Sequence, residues 1–231
     1  MVMAPNTERR KMKNHDEDFL QQLAKQLSCP ANTEGIEVAN NMHENNIGMT
    51  RKTIDGLNIS KGDLILELGH GNCKHLPEIL SRAEHTSYYG LEISELMQKQ
   101  ASVANNAAIE ANRASFHLYN GNNIPFSDNT FSKILTVNTI YFWESPEDFI
   151  KEIYRVLKPG GTFAIGFADK DFMESLPFTA YGFDLYSKDR INALAEAAHF
   201  KIKEISSFTE KITSKAGDEV ERLFYVALLE K

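Results

Sequence analysis

Asp63-Leu-Ile-Leu-Glu-Leu-Gly-His-Gly-Asn-Cys-Lys74 is the stretch on which the fold turns. Leu64, Ile65, Leu66 and Leu68 make a short apolar run broken only by Glu67, and Gly69 and Gly71 then end it. A new apolar spacing begins at Leu76, Ile79 and Leu80. A buried strand, a tight glycine turn and a helix, in that order, form the nucleotide-binding corner of an α/β sheet. Glycine has no Cβ, so the backbone there can turn sharply and approach a ligand closely. The corner predicts a nucleoside-containing cofactor.

What the corner lacks narrows the choice. No Gly-x-x-x-x-Gly-Lys-Ser/Thr string occurs, so this is no phosphate-binding P-loop. A dinucleotide fingerprint needs a third glycine three residues after the second, and Lys74 stands there. Glu67, at the carboxyl end of the strand, suits an amino group and would repel a pyrophosphate. An acid, two glycines and no third glycine favour S-adenosylmethionine (SAM) over NAD.

Working outward, Thr86-Ser-Tyr-Tyr-Gly-Leu-Glu92 reads as the next strand, ending in a carboxylate 21 residues beyond Gly71. In such folds that acid accepts hydrogen bonds from the two ribose hydroxyls. Ser94 then caps a helix. From residue 63 the apolar periodicity alternates: strand 64–68, helix 75–83, strand 86–91, helix 94–111, strands 115–119 and 133–138, helix 146–157 and strand 162–168. This alternation predicts a Rossmann-like, doubly wound, mostly parallel sheet. Ser145, Pro146, Glu147 and Asp148 mark the start of the helix at 146–157. Beyond an irregular aromatic stretch at 169–186 come helix 187–198 and strands 200–208 and 222–229, expected to pair as an antiparallel edge hairpin. The first fifty residues read as helices joined by a polar loop around Pro30–Gly35. The expected organisation is a disordered tail over 1–14 and a single domain over 15–231. Within that domain, 15–60 form a helical cap and 61–231 a cofactor-binding core with a lid-like insertion at 169–186.

The chain has 231 residues, enough for one compact domain. Its net charge of −7 argues against a large phosphate-binding face, which makes nucleic acid a disfavoured partner. No apolar stretch approaches a membrane span. Arg9, Arg10, Lys11 and Lys13 precede no apolar core, so the expectation is no secretory signal and a cytoplasmic protein. The two cysteines, Cys29 and Cys73, provide neither a disulfide framework nor a thiolate metal cage, and no metal is expected.

Leu66-Glu-Leu-Gly-His-Gly71, Gly90-Leu-Glu-Ile-Ser94, Ile124-Pro-Phe-Ser-Asp-Asn-Thr-Phe131 and Arg155-Val-Leu-Lys-Pro-Gly-Gly161 occur in series. In that order and at those separations they resemble a class I SAM-dependent methyltransferase of the type 11 group, the broad set that contains the quinone C-methylases. The resemblance covers residues 60–168. It implies that Glu67, Gly69 and Gly71, with Asn72 beside them, hold the methionine end of SAM, and that Glu92 takes the ribose hydroxyls. It further implies that Ile93 packs on the adenine ring and that Asn120, followed by Gly121, accepts from the adenine amino group. Asn138, ending the fourth strand, would meet the cofactor near its sulfonium. Relatives often place another glycine where Asn72-Cys73 stands, so Cys73 is expected to crowd the turn.

Methyl transfer from a sulfonium is an in-line displacement in which positioning and desolvation supply most of the acceleration. Tyr141 is the candidate beside the methyl group, and His43, on a polar segment over the pocket, is the candidate base. His70 reads as a surface histidine. Phe172, Phe178, Tyr181, Phe183 and Tyr186 suggest a lid over an apolar acceptor. The expected activity is methyl transfer from SAM to a small molecule, with S-adenosylhomocysteine as product. The alternatives are a non-catalytic SAM-binding module and a methyltransferase acting on protein or RNA. Oligomeric state is left open.

Overall fold

The computed structural model describes residues 5–213 and 219–231, with side chains described from Asp16 onward. Two long helices come first, α1 (Pro5–Ser28) and α2 (Asn32–Gly56). The helix runs into the stretch expected to be a tail: α1 begins at Pro5, and residues 1–4 lie outside the described residues.

The glycine corner is built as expected, with β1 (Leu64–Leu68), a loop, and α3 (Leu76–Leu80). There follow β2 (Ser87–Glu92), α4 (Glu95–Ala104), α5 (Asn106–Glu110), β3 (Ala114–Leu118), β4 (Phe131–Val137), α6 (Pro146–Val156) and β5 (Leu157–Ala168). The chain ends in α7 (Lys170–Glu174), α8 (Lys188–Ala197), β6 (Lys201–Thr213) and β7 (Glu219–Glu230). The seven strands lie in the order β3-β2-β1-β4-β5-β7-β6. β1 to β5 are parallel, and β7 enters antiparallel between β5 and β6, leaving β6 at the edge.

Alternation along the strands creates two cores. Leu66, Ile134, Phe163 and Ile165 face α6 and α8, meeting Phe149, Ile153 and Ile191. Ile65, Tyr88, Leu135 and Ala164 face the other way, onto Ile54, Leu76, Ile79 and Ala101. The second face also receives the C-terminal half of α2, where Gly166 admits the helix. A Cβ at Gly166 would come within 2.4 Å of Thr53 Oγ1.

Several expectations shift. The helix predicted over 94–111 breaks into α4 and α5 at Asn105, whose side-chain amide donates to Ala101 O at 2.9 Å and Cys73 O at 3.1 Å. Those tertiary bonds compete with helix continuation. Ser94 caps α4 by accepting from Met97 N at 3.2 Å, whereas Ser145 makes no side-chain cap bond at α6. The stretch 169–186 contains α7 and a 3-10 turn at Pro177–Ala180. Its aromatics Phe172 and Phe183 pack against the main core and Tyr186 is fully buried within it.

Candidate functional site

The loop after β1 owes its path to three alternate left-handed positions, Gly69 (φ 72°), Gly71 (φ 57°) and Cys73 (φ 48°). Gly69 is required twice over, because a Cβ there would also lie 2.4 Å from Thr139 Cγ2. Gly71 opens onto free space, with nothing within 4 Å of where its Cβ would stand. Cys73 occupies a conformation that costs a non-glycine residue about 1–2 kcal/mol. Its side chain is fully buried, and Sγ lies 3.2 Å from Tyr88 OH.

At the end of β2, Glu92 reaches back to this loop. Its Oε2 accepts from Gly71 N at 2.9 Å, and its Oε1 accepts from Ile93 N at 2.8 Å and Ser94 N at 3.1 Å. These three charge-assisted bonds fix the carboxylate and the glycine loop to each other.

Glu67 is 2% exposed and belongs to a second network. Its Oε2 accepts from His75 Nε2 at 2.8 Å and from Tyr88 OH at 2.6 Å. Burial pushes its carboxyl up, but the His75 charge and the bonds from His75 and Tyr88 outweigh that and hold it below the ordinary value. Burial likewise pulls His75 down, and the Glu67 charge and hydrogen bond reverse this, so His75 titrates above the ordinary imidazole. Burial drives the Cys73 thiol well up. Glu67, Cys73 and His75 bring one ligand-type atom each within 4.8 Å of one another. The carboxylate is already paired with His75 and Tyr88, and the sulfur lies against Tyr88 OH, so Tyr88 joins the three into one hydrogen-bond network. Sequence reasoning missed His75; its only signal was a histidine eight residues after the strand-end acid.

His70 departs from expectation. It is 4% exposed, sealed under its own loop, with its ring in the space that Gly90 leaves. Its Nδ1 lies 2.8 Å from Gly71 O; a carbonyl only accepts, so Nδ1 carries the proton. Burial lowers its pKa and keeps the ring neutral.

One cleft gathers most of the residues singled out in the sequence. Glu67, Gly69, Gly71, Asn72, Glu92, Ile93, Gly121 and Asn138 line it, together with His43. Asn72 ties the loop to the cap, donating to Asn40 Oδ1 at 3.3 Å, which Lys74 Nζ also approaches at 2.9 Å. His43 lies on helix α2, not on a loop, and its ring stacks on His75 at 6.4 Å. Burial lowers its pKa, and the charges of His75 and Lys74 add to this.

Two candidates stand apart from the lining. Asn120 is exposed, and its Oδ1 accepts from Asn122 N at 3.0 Å and Asn123 N at 2.8 Å, so the amide closes its own turn. Tyr141 is 3% exposed, and its hydroxyl accepts from Ala168 N at 2.7 Å while reaching Asn138 Oδ1 at 3.1 Å. It braces Asn138 from behind. No residue of 169–186 is among the lining; Phe183 reaches only as far as Phe142, ring to ring at 4.6 Å. The cover over the cleft is α2.

The cleft fits a nucleoside cofactor. Space stands open above Gly71, Gly121 faces the half-exposed Ile93 across a gap with a left-handed backbone (φ 82°), and Glu92 lies between them. Residues 66–165 match the family model described as a methyltransferase domain, type 11. The uncharacterized methyltransferase YdaC of Bacillus subtilis is 32% identical over 126 residues, 54% of this chain and 66% of that relative, just under two thirds of its length. A chain of the complex with the Trm112 methyltransferase activator of Haloferax volcanii superposes with a TM-score of 0.70 at 18% identity, covering 84% of this chain and 94% of that one. A SAM-dependent methyltransferase of Aquifex aeolicus gives 0.62 at 19% identity, covering 90% and 98%. Residues 66–165, under half of the chain, thus match a methyltransferase-domain family, and the chain shares the sheet architecture of solved SAM-dependent methyltransferases.

Proposed function

We propose that this chain transfers a methyl group from SAM to a small-molecule acceptor. One observation carries the reading: a single cleft joins the glycine loop and Glu92, on the β1–β2 side, to a wall of mixed polar and apolar residues made by α2 and the segment that ends β4. The cofactor, when bound, would supply an electrophilic methyl on a sulfonium. Glu92 would hold the ribose and Glu67 the methionine amino group through its free lone pairs. Ile93 would pack on the base and Gly121 would leave room beside it. Asn120 has its carbonyl in a turn, so adenine recognition falls to Ile93, Gly121 and backbone groups.

The α2 helix excludes water over the reacting atoms, which strengthens every polar contact beneath it. His43, held neutral, would take a proton from an acceptor that must lose one. Tyr141 acts as a positioning residue through Asn138. The chain's compartment, on this reading, is a reducing cytoplasm, where the free Cys29 and buried Cys73 are at home.

Isothermal titration with SAM, S-adenosylhomocysteine and NAD tests the cofactor, and S-adenosylhomocysteine release across a metabolite library tests the transfer. Both sulfur ligands should bind at one site per chain and NAD should not. Tight NAD binding without a response to either sulfur ligand would overturn the reading. Cofactor binding with no turnover on small molecules would leave a SAM-binding module or a macromolecular acceptor.

A further inference from the structure

That wall of the cleft carries two carboxamides, each oriented by a donor that its oxygen must face. Arg222, on β7 and 5% exposed, sends Nη1 to Asn46 Oδ1 at 2.8 Å. A guanidinium has no acceptor, so the Asn46 atom that faces it must be the oxygen. The same guanidinium donates to Asn45 O at 2.7 Å and to Glu210 Oε1 at 2.6 Å, which locks it in place. Gly48 makes this approach possible, since any Cβ there would collide with Glu210. On the other element, Tyr141 OH accepts the backbone N–H of Ala168 at 2.7 Å. Its single proton is therefore free to go to Asn138 Oδ1 at 3.1 Å. Asn138 itself is held in the left-handed region (φ 57°), with its N–H bonded to Gly166 O at 2.9 Å.

Both oxygens are thus occupied, and no group among the described residues accepts from either amide nitrogen. Both residues line the cleft. The neighbouring hydroxyl of Thr139 adds no competing donor. Thr136 gives its proton to Leu68 O at 2.8 Å, so Thr139 gives its own to Thr136 while accepting from Trp143 Nε1 at 3.3 Å.

We infer that Asn46 and Asn138 form a paired N–H donor subsite for an oxygen anion, a carboxylate, on the methyl acceptor. The inference rests on the methyltransferase reading and adds the substrate's chemistry to it. Position decides between acceptor and cofactor. The cofactor's contacts, Glu67 and Glu92, close β1 and β2. The donor pair hangs from the other side of the cleft: Asn138 and its brace Tyr141 follow β4, Tyr141 is held by Ala168 at the end of β5, and the brace of Asn46 lies on β7. An anionic acceptor group also belongs away from the two carboxylates and beside an amide polarised by a buried guanidinium.

Asn46→Asp tests this, because the aspartate still accepts from Arg222 but presents an oxygen where the amide N–H2 stood. Protein saturated with S-adenosylhomocysteine would be titrated calorimetrically with hexanoate and benzoate, and with hexylamine and benzylamine. The wild type should prefer each acid to its matching amine. Asn46→Asp should lose about tenfold or more for the acids, the size of one charge-assisted hydrogen bond, with S-adenosylhomocysteine affinity held within about twofold. Asn138→Asp, which keeps the bond from Tyr141, should lose affinity for the acids likewise and serves if the first variant does not fold. Acids that bind no better than amines, or not at all, overturn the inference, as does an acid preference that both variants leave intact. So does a loss of S-adenosylhomocysteine affinity in Asn46→Asp that 5′-methylthioadenosine, which has no carboxylate, does not share; the pair would then serve the cofactor. Wild-type protein that binds no S-adenosylhomocysteine defeats the methyltransferase reading instead.

Discussion

Glu92 shows how one side chain can serve structure and ligand together. Its carboxylate accepts three backbone N–H groups, from Gly71, Ile93 and Ser94, so it is a brace of the loop as well as a wall of the cleft. Glu92→Gln keeps the shape but turns an N–H2 toward one of those donors. We expect it to cost about 1–3 kcal/mol of stability without ligand, and to weaken SAM roughly ten- to hundredfold. Melting of the ligand-free variant and SAM titration check the two effects separately. An unchanged melting temperature would show that the brace contributes nothing. A sequence can place an acid at a strand end, and so point to ribose, because strand length and spacing are local. It cannot show that one of its oxygens already accepts from a loop 21 residues earlier.

At the scale of elements, the cap helix α2 decides what the cleft is. It crosses the sheet with Met49, Thr53 and Ile54 buried and its polar residues His43 and Asn46 lining the cleft. Its seat on the sheet is Gly166, where Thr53 Oγ1 and Met49 Cγ approach to 2.4 and 3.3 Å of a hypothetical Cβ. Gly166→Ala should therefore lift this end of α2, at a cost of about 1–3 kcal/mol, and weaken S-adenosylhomocysteine with it. Hydrogen exchange is the measurement: amides around Thr53 should lose protection while those of β1 and β4 keep theirs. Uniform loss, or none, would mean that α2 is not seated at this point. Helices with local signals, such as α6 behind Pro146, were legible in the sequence. The break between α4 and α5 was not, because Asn105 is drawn to Cys73 O on the glycine loop.

For the molecule as a whole, the buried pair of Glu67 and His75 makes stability depend on pH in a defined direction. Glu67 titrates below its ordinary 4.5, so its contribution is complete above that value and is lost as pH falls through the lowered one. His75 titrates above its ordinary 6.5, so its contribution is complete below 6.5 and is lost as pH rises through the raised one. Both are in force between 4.5 and 6.5. His75→Gln keeps a donor to Glu67 but removes the charge, and should cost about 1–3 kcal/mol within that window. The gap in melting temperature between wild type and variant should be widest there and narrow as the solution becomes alkaline. A gap independent of pH would show that the charge of His75 plays no part. His43 and His70, lowered chiefly by burial, also feel the charge of His75 and are released from it in the variant.

The sequence by itself determined the sheet, its glycine corner and the acids at the ends of β1 and β2. These depend on apolar periodicity and on residues a few positions apart, which the chain carries along its own length. It also drew Asn138 and His43 toward the site, one from a strand end and one from a polar stretch. Tertiary structure alone decided their surroundings. It put Tyr141 behind Asn138, turned Asn120 into its own loop, buried His70 beneath Gly71, and paired Glu67 with His75. It set Arg222, 176 residues away in sequence, against Asn46. Hydrogen-bond direction and burial belong to groups that meet only once the chain has folded, and no local pattern encodes them.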